Sequence, residues 1–340
     1  MSRGSAGAER LVNARRHSVV IATCAAVCAA PPAFAQAPLL AVSNEQSHDV
    51  MLVDARTHAI VATIPVGARA RGIHFSPDHR RLYVAVSDDA PQSESTKDGV
   101  VAIDVATRRV VKRYPIGSDP EQFAITPDGT RLYASNEDGG TATAIDSRTG
   151  KRLAALVVGI EPEGVAVSPD GRWVYVTSET SNSVSIIDVR ADKVVANLLV
   201  DLRPRAAAFT PDGTRVFVTA EVGGSVTVID SRTHALLETI RIERNDGKPV
   251  GVVVSPDGNR VYVACGHTNA VVVLDAHSYK TLVRIPVGNR PWGIDISADG
   301  RFVYSANGLS NTVSVIDTAR NAVVATINVG QRPWGVAVEH

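Results

Sequence analysis

Between residues 164 and 199, hydrophobic and polar positions alternate in four short runs, 164–167, 173–177, 184–188 and 194–199, each broken from the next by turn residues. A period of two in segments rich in Val, Ile and Thr predicts four strands. The first break reads Ser168-Pro169-Asp170-Gly171. Proline presets the backbone of a type I turn, and glycine accepts the left-handed position that follows. The third run ends on Asp188, whose carboxylate can accept backbone N–H groups two or three residues on, and so opens the last hairpin.

This unit recurs along the chain. The Asp that closes the third run returns at Asp54, Asp104, Asp146, Asp188, Asp230, Asp275 and Asp317. The Pro-Asp-Gly turn or a near copy returns with its aspartate at Asp78, Asp128, Asp170, Asp212, Asp257 and Asp299. A third marker precedes each first run: Arg69-Ala-Arg-Gly, Asp119-Pro-Glu-Gln, Glu161-Pro-Glu-Gly, Arg203-Pro-Arg-Ala, Lys248-Pro-Val-Gly, Arg290-Pro-Trp-Gly and Arg332-Pro-Trp-Gly. Four strands per unit, seven times, predict an all-β fold, a seven-bladed β-propeller of four-stranded blades. Seven strand-end aspartates stand against six Pro-Asp-Gly turns. The missing turn would join 334–338 to 39–43, so the C-terminal strand is expected to complete the first blade and close the ring. Two insertions interrupt the rhythm. The segment 87–99 (SDDAPQSESTKDG) is expected to be a mobile surface loop, and 241–248 (RIERNDGK) precedes blade 6.

Ahead of the repeats, Arg3, Arg10, Arg15 and Arg16 are followed by an uncharged apolar run, 18–30, and by Pro31-Pro32-Ala33-Phe34-Ala35. A basic start, a short apolar middle and an Ala-x-Ala exit predict a secretory signal peptide over 1–35, cleaved near Ala35, with the propeller over 36–340. Thirteen apolar residues fall short of the ~20 that span a bilayer. The expected location is therefore periplasmic or secreted, with no membrane span after processing. The 35 basic and 35 acidic residues become 35 less four and 35 less one, a net charge of −3. That balance argues against a general nucleic-acid binder. Of three cysteines only Cys265 remains in the processed chain, so no internal disulfide can form.

In a propeller the junctions before the first strand and between the second and third strands emerge on one face. The first set supplies Arg69, Arg71, Asp119, Glu121, Glu161, Glu163, Arg203, Arg205, Lys248, Arg290, Trp292, Arg332 and Trp334. The second supplies Glu45, Glu137, Glu179 and Glu221. Function is expected on this face, near the central channel. Arginine and tryptophan suit recognition, and Trp292 and Trp334, on neighbouring blades, could form a flat platform. The candidates for binding a ligand or partner are Arg290, Trp292, Arg332, Trp334, Arg203, Arg205, Arg69, Arg71, Glu161 and Glu163. The competing reading is that arginines and glutamates pair across blades and fix their spacing. The four matched glutamates are weaker candidates for a divalent cation, which wants oxygen ligands. In the first-strand row 74, 124, 166, 208, 253, 295 and 337, only His74 and Asp295 replace Ala or Val.

No Cys-x-x-Cys-His, His-Glu-x-x-His, Gly-x-Ser-x-Gly or phosphate-binding glycine loop occurs, and no cofactor is expected. Tyr175-Val-Thr-Ser, Ser185-Ile-Ile-Asp, Val324-Ala-Thr-Ile and Val329-Gly resemble the YVTN β-propeller repeat family across 39–338. EPEGVAVSPDG (161–171), TSETSN (177–182), RPRAAAFTPDG (203–213), EVGGSVTVID (221–230) and NGLSNTVSVID (307–317) resemble its PQQ-dependent catabolism-associated subgroup. The insertion in blade 2 and the segment before blade 6 depart from that pattern. The resemblance implies an exported, non-enzymatic binding or scaffold protein, accessory to a quinoprotein alcohol oxidation system, and carries over no catalytic residues. Its partner would be a protein or a small anionic or aromatic ligand. Two alternatives stand beside it, a lactonase-like propeller hydrolase and a single-stranded DNA-binding periplasmic propeller.

Overall fold

The computed structural model describes residues 37–88, 95–242 and 247–339, whose compact unit begins at Ala37. The expected leader, and the tips of both insertions, lie outside the described residues. Strands β1–β28 form seven four-stranded antiparallel sheets. Six sheets take their strands in chain order; in the fourth blade these are β12 (Pro162–Val167), β13 (Trp173–Ser178), β14 (Ser183–Asp188) and β15 (Lys193–Leu199). In the first blade, β28 (Pro333–Val338) pairs with β1 (Leu39–Asn44), which continues to β2 (Asp49–Asp54) and β3 (Ile60–Pro65). The ring closes as the marker counts predict.

The turns behave as their chemistry requires. Gly129, Gly171, Gly213, Gly258 and Gly300 have φ between 69° and 73°, and His79 takes the same left-handed position at 55°. Asp54 Oδ1 accepts from the backbone N–H groups of Arg56 (2.9 Å) and Thr57 (2.7 Å), a pattern that repeats at the other strand-end aspartates.

The hydrophobic core is divided. Seven buried clusters each join two neighbouring blades; Val174, Val176 and Ile187 of blade 4, for example, pack with Tyr133, Ala142 and Ala144 of blade 3. No blade carries a core of its own, so each depends on both neighbours. Hydroxyl groups stitch some of these joints: Ser135 Oγ donates to Glu163 O (2.6 Å), Thr177 Oγ1 to Arg205 O (3.0 Å) and Thr219 Oγ1 to Val250 O (2.6 Å).

The inner strands β28, β4 (Arg69–Phe75), β8 (Pro120–Ile125), β12, β16 (Pro204–Phe209), β20 (Pro249–Val254) and β24 (Pro291–Ile296) neighbour one another around the channel. Each breaks register just inside its first residues. Such bulges re-aim a side chain, and the residue at each of them is the third of the marker motif.

Candidate functional site at the channel mouth

Six marker motifs begin with a non-glycine residue in the left-handed region: Asp119, Glu161, Arg203, Lys248, Arg290 and Arg332, with φ from 42° to 59°. Residues before proline normally avoid this conformation, and strain of this kind gathers at functional sites. Side-chain amides hold three of them in place. Asn182, Asn269 and Asn311 accept, through Oδ1, the backbone N–H of Arg203, Arg290 and Arg332 at 2.8, 2.8 and 2.9 Å. Sequence reading passed over these asparagines; their signal was an Asn twenty-one residues before each arginine.

Motifs of six blades and several of the second-to-third-strand turns meet in one cavity of about 450 Å³ at the channel mouth, while Lys248 of blade 6 lines an adjoining hollow with Gly266 and His267. Glu45, Arg71, Glu121, Glu137, Glu163, Glu179, Arg203, Arg205, Arg290, Trp292, Arg332 and Trp334 all line the mouth. Arg69, Glu161 and Glu221 stand outside this lining: Arg69 reaches it through Glu45, Glu221 through Arg203, and Glu161 accepts a hydrogen bond from the Thr180 hydroxyl.

Blades 1–5 form a buried ion-pair network. Arg71 pairs with Glu121 of the next blade and lies 3.4 Å from both Glu45 and Asp119 and 3.8 Å from Glu137. Arg69 pairs with Asp119 at 2.9 Å. Arg205 pairs with Glu179 and, at 3.0 Å, with Glu163 of the preceding blade, while Arg203 meets Glu179 at 2.6 Å. Cross-blade pairing is therefore real on this side. Burial pushes the Glu163 carboxyl up, against the pull of Arg205 and Arg71. Burial, and then the Glu163 and Asp119 carboxylates, push Glu137 up to about 7.

Asp119, Glu121 and Glu137 place oxygens within 4.8 Å of one another, a spacing a cation could use. The Arg71 guanidinium already stands at all three. It supplies the positive charge that a metal would, so the cluster carries no metal assignment. Of the four glutamates considered for a cation, only Glu137 joins this group; Glu45, Glu179 and Glu221 are each held by arginines.

The remaining sector is built differently. Trp292 and Trp334 have ring centroids 6.2 Å apart but are tilted by 51°, so the flat platform is corrected to an open wedge. Small residues cannot be replaced beneath it: a Cβ on Gly293 would stand 2.5 Å from Trp334 O and 2.8 Å from Gly335 Cα. The Arg205 and Arg290 guanidiniums each lie 4.8 Å from the Trp292 ring. Among the described residues no cation covers Trp334, and neither Arg290 nor Arg332 has a carboxylate within ion-pair distance.

Below the tryptophans the channel narrows to a chamber of about 130 Å³ walled by Ile73, Val165, Val252, Ile294 and Val336. His74 sits in this wall, hydrogen-bonded to Gln122 and edge-on to Phe123 at 5.1 Å. Burial lowers it to about 4. Asp295 accepts the N–H of Val338 through Oδ2 (2.9 Å) and so ties blade 7 to blade 1. Both odd members of the small-residue row are satisfied by neighbours.

Residues 158–333, just over half of the chain, match the cytochrome D1 heme domain family. The chain belongs to that family. No curated protein sequence matches it. Among solved structures it is similar to hydrazine synthase from Kuenenia stuttgartiensis, at 25% identity and TM-score 0.74 over 83% of this chain and 92% of that one. A functionally unknown protein from Desulfotomaculum acetoxidans is 18% identical with TM-score 0.75, covering 89% and 99% of the two chains. A candidate 6-phosphogluconolactonase from Bacteroides uniformis is 17% identical with TM-score 0.73, covering 89% and 100%. These last two likenesses carry the fold alone.

The family name raises heme, and the residues of this member do not fit it. Heme iron takes an axial ligand from His, Cys, Met or Tyr. Among the described residues none of these lines the mouth, whose walls are ion pairs and tryptophan, and His267, which has a partner of its own, lines the adjoining hollow with Lys248. His74 stands in a chamber of about 130 Å³, far too small for a macrocycle, and is engaged with Gln122.

Proposed function

We propose that this chain is an exported, non-enzymatic propeller of the YVTN type that binds its ligand or partner at the Arg-Pro-Trp-Gly corner. On the strength of the PQQ-associated repeat pattern, we place it beside a periplasmic quinoprotein alcohol oxidation system. One observation carries the binding reading. Seven carboxylates and four arginines neutralise much of one another on blades 1–5, whereas among the described residues Arg290 and Arg332 remain uncompensated beside the open face of Trp334. Arginine offers bidentate pairing to carboxylate-bearing groups, and tryptophan offers apolar area at little entropic cost. The surplus of acidic groups elsewhere at the mouth disfavours a nucleic-acid strand.

The test is retention from a native periplasmic extract by wild-type protein and by Arg332→Ala/Trp334→Ala, followed by mass spectrometry and a melting curve. The expected result is loss of the retained species with the ring still folded. Undiminished retention by a folded double variant would contradict the proposal.

A second reading, a lactonase-like hydrolase, draws on Glu137. A carboxyl raised to about 7 in a cavity is suited to general acid–base work near neutral pH. Turnover of lactones that disappears in Glu137→Gln would favour it.

A further inference from the structure

The mouth cavity is dipolar. Among the described residues Glu45, Asp119, Glu121 and Glu137 share only Arg69 and Arg71 as ion-pair partners. Glu137 is the least compensated of them. Among the described residues its carboxylate accepts no hydrogen bond, and its one ion pair, to Arg71, is long at 3.8 Å. On the neighbouring blades 7 and 1, Arg290 and Arg332 line the same mouth and have no carboxylate partner among the described residues, to which the Arg332 guanidinium donates no hydrogen bond. Arg205, 7% exposed, leaves its Nε without an acceptor, while Arg71 Nε stands 3.4 Å from Glu45 Oε1. Buried donors are normally satisfied, and those that are not call for an explanation.

A simple anion on Arg332 would share the mouth with the surplus carboxylates, Glu45 of its own blade among them. A simple cation on Glu137 would share it with Arg290 and Arg332. A molecule carrying both charges suits both sets of groups. The cavity, at about 450 Å³, lies in the range of ~300–1,000 Å³ usual for small-molecule sites, and Trp334 lines it with a ring that no cation of the described residues covers.

We infer that the mouth takes a free amino acid with an aromatic side chain, its carboxylate on Arg332, its ammonium against the Glu137 wall and its ring on Trp334. This rests on the mouth being the binding site, as proposed above. It extends that reading from a recognition corner to a ligand class set by two opposed charges.

Three matched probes test it by calorimetry on the processed chain: L-phenylalanine, 3-phenylpropionate, which lacks the ammonium, and phenethylamine, which lacks the carboxylate. Phenylalanine is expected to bind at least about tenfold more tightly than either, as befits a second charge-assisted contact. Arg332→Ala should weaken phenylalanine and phenylpropionate and spare phenethylamine. Glu137→Gln should weaken phenylalanine and phenethylamine and spare phenylpropionate. Melting curves confirm that each variant is folded, and Arg332→Gln replaces the alanine variant if that one is not. Phenylpropionate binding as tightly as phenylalanine would overturn the inference while leaving an anion-binding mouth in place. Phenylalanine binding that ignores Arg332→Ala would put the site elsewhere, and both readings would fall. No heat from any of the three at millimolar concentration would overturn the inference alone.

Discussion

His74 is the residue whose chemistry follows most directly from its place. Four of the seven positions in its row are alanine, at 124, 166, 208 and 337. Burial in the channel wall holds its imidazole neutral down to about 4, against an ordinary value of 6.5. An unfolded chain takes up that proton near 6.5, so the contribution is whole above that pH and is lost as pH falls to about 4. Discounted for relaxation of the wall, this is worth roughly 2 kcal/mol across the window. Wild-type protein should lose melting temperature between pH 6.5 and 4.5, and His74→Ala should lose less; parallel losses would show that His74 is not held neutral. Glu137 acts with the opposite sign, stabilising below its ordinary 4.5 and losing that effect as pH rises through about 7. The turn aspartates, held below the usual carboxylate range by Ser or Thr hydroxyls and backbone N–H groups, titrate beneath this window. The placement of the charged residues was legible from phase alone. Pairing across blades was anticipated as the competing reading, but which residues pair was not legible, because Arg71 and Arg205 reach across blade boundaries that no spacing describes.

At the level of the element, the marker motif explains itself once its backbone is seen. Proline opens the inner strand, the bulge turns the third residue over the mouth, and glycine lets the next inner strand approach. The sequence showed proline and glycine at fixed spacing, and the strands they delimit fall within a residue or two of expectation. The left-handed residue before proline left no such mark, since Asp, Glu, Arg and Lys are ordinary there by composition. β28 is the inner strand of the first blade, and it packs in the clusters on both sides, through Ala337 toward blade 2 and through Val336 and Val338 toward blade 7. Deleting residues 335–340 should therefore lower the melting temperature of the whole unit by more than ten degrees or prevent folding, since several buried side chains at ~1.5–3 kcal/mol each are lost together. A truncated chain that melts with its parent would contradict this closure.

The whole molecule is a ring of mutually dependent blades with one uneven face. Period and marker counts revealed the ring because seven near-copies must obey the same packing. The uneven face was legible only as a list of residues, because it consists of departures from the repeat, and a departure does not announce its neighbours. Membership of the cytochrome D1 heme domain family adds a ligand that this mouth is not built to ligate, which turns attention to the corner of Arg290, Trp292, Arg332 and Trp334. Two of the three tryptophans stand at that corner, and the third, Trp173, opens β13, where Phe302 occupies the matching place in blade 7. Trp173→Phe thus leaves fluorescence that reports from the mouth alone. Adding the small-molecule and protein fractions of a native periplasmic extract to this variant should shift or quench its emission with the fraction that is retained. Retention without any change in emission would place recognition away from the mouth and contradict the account.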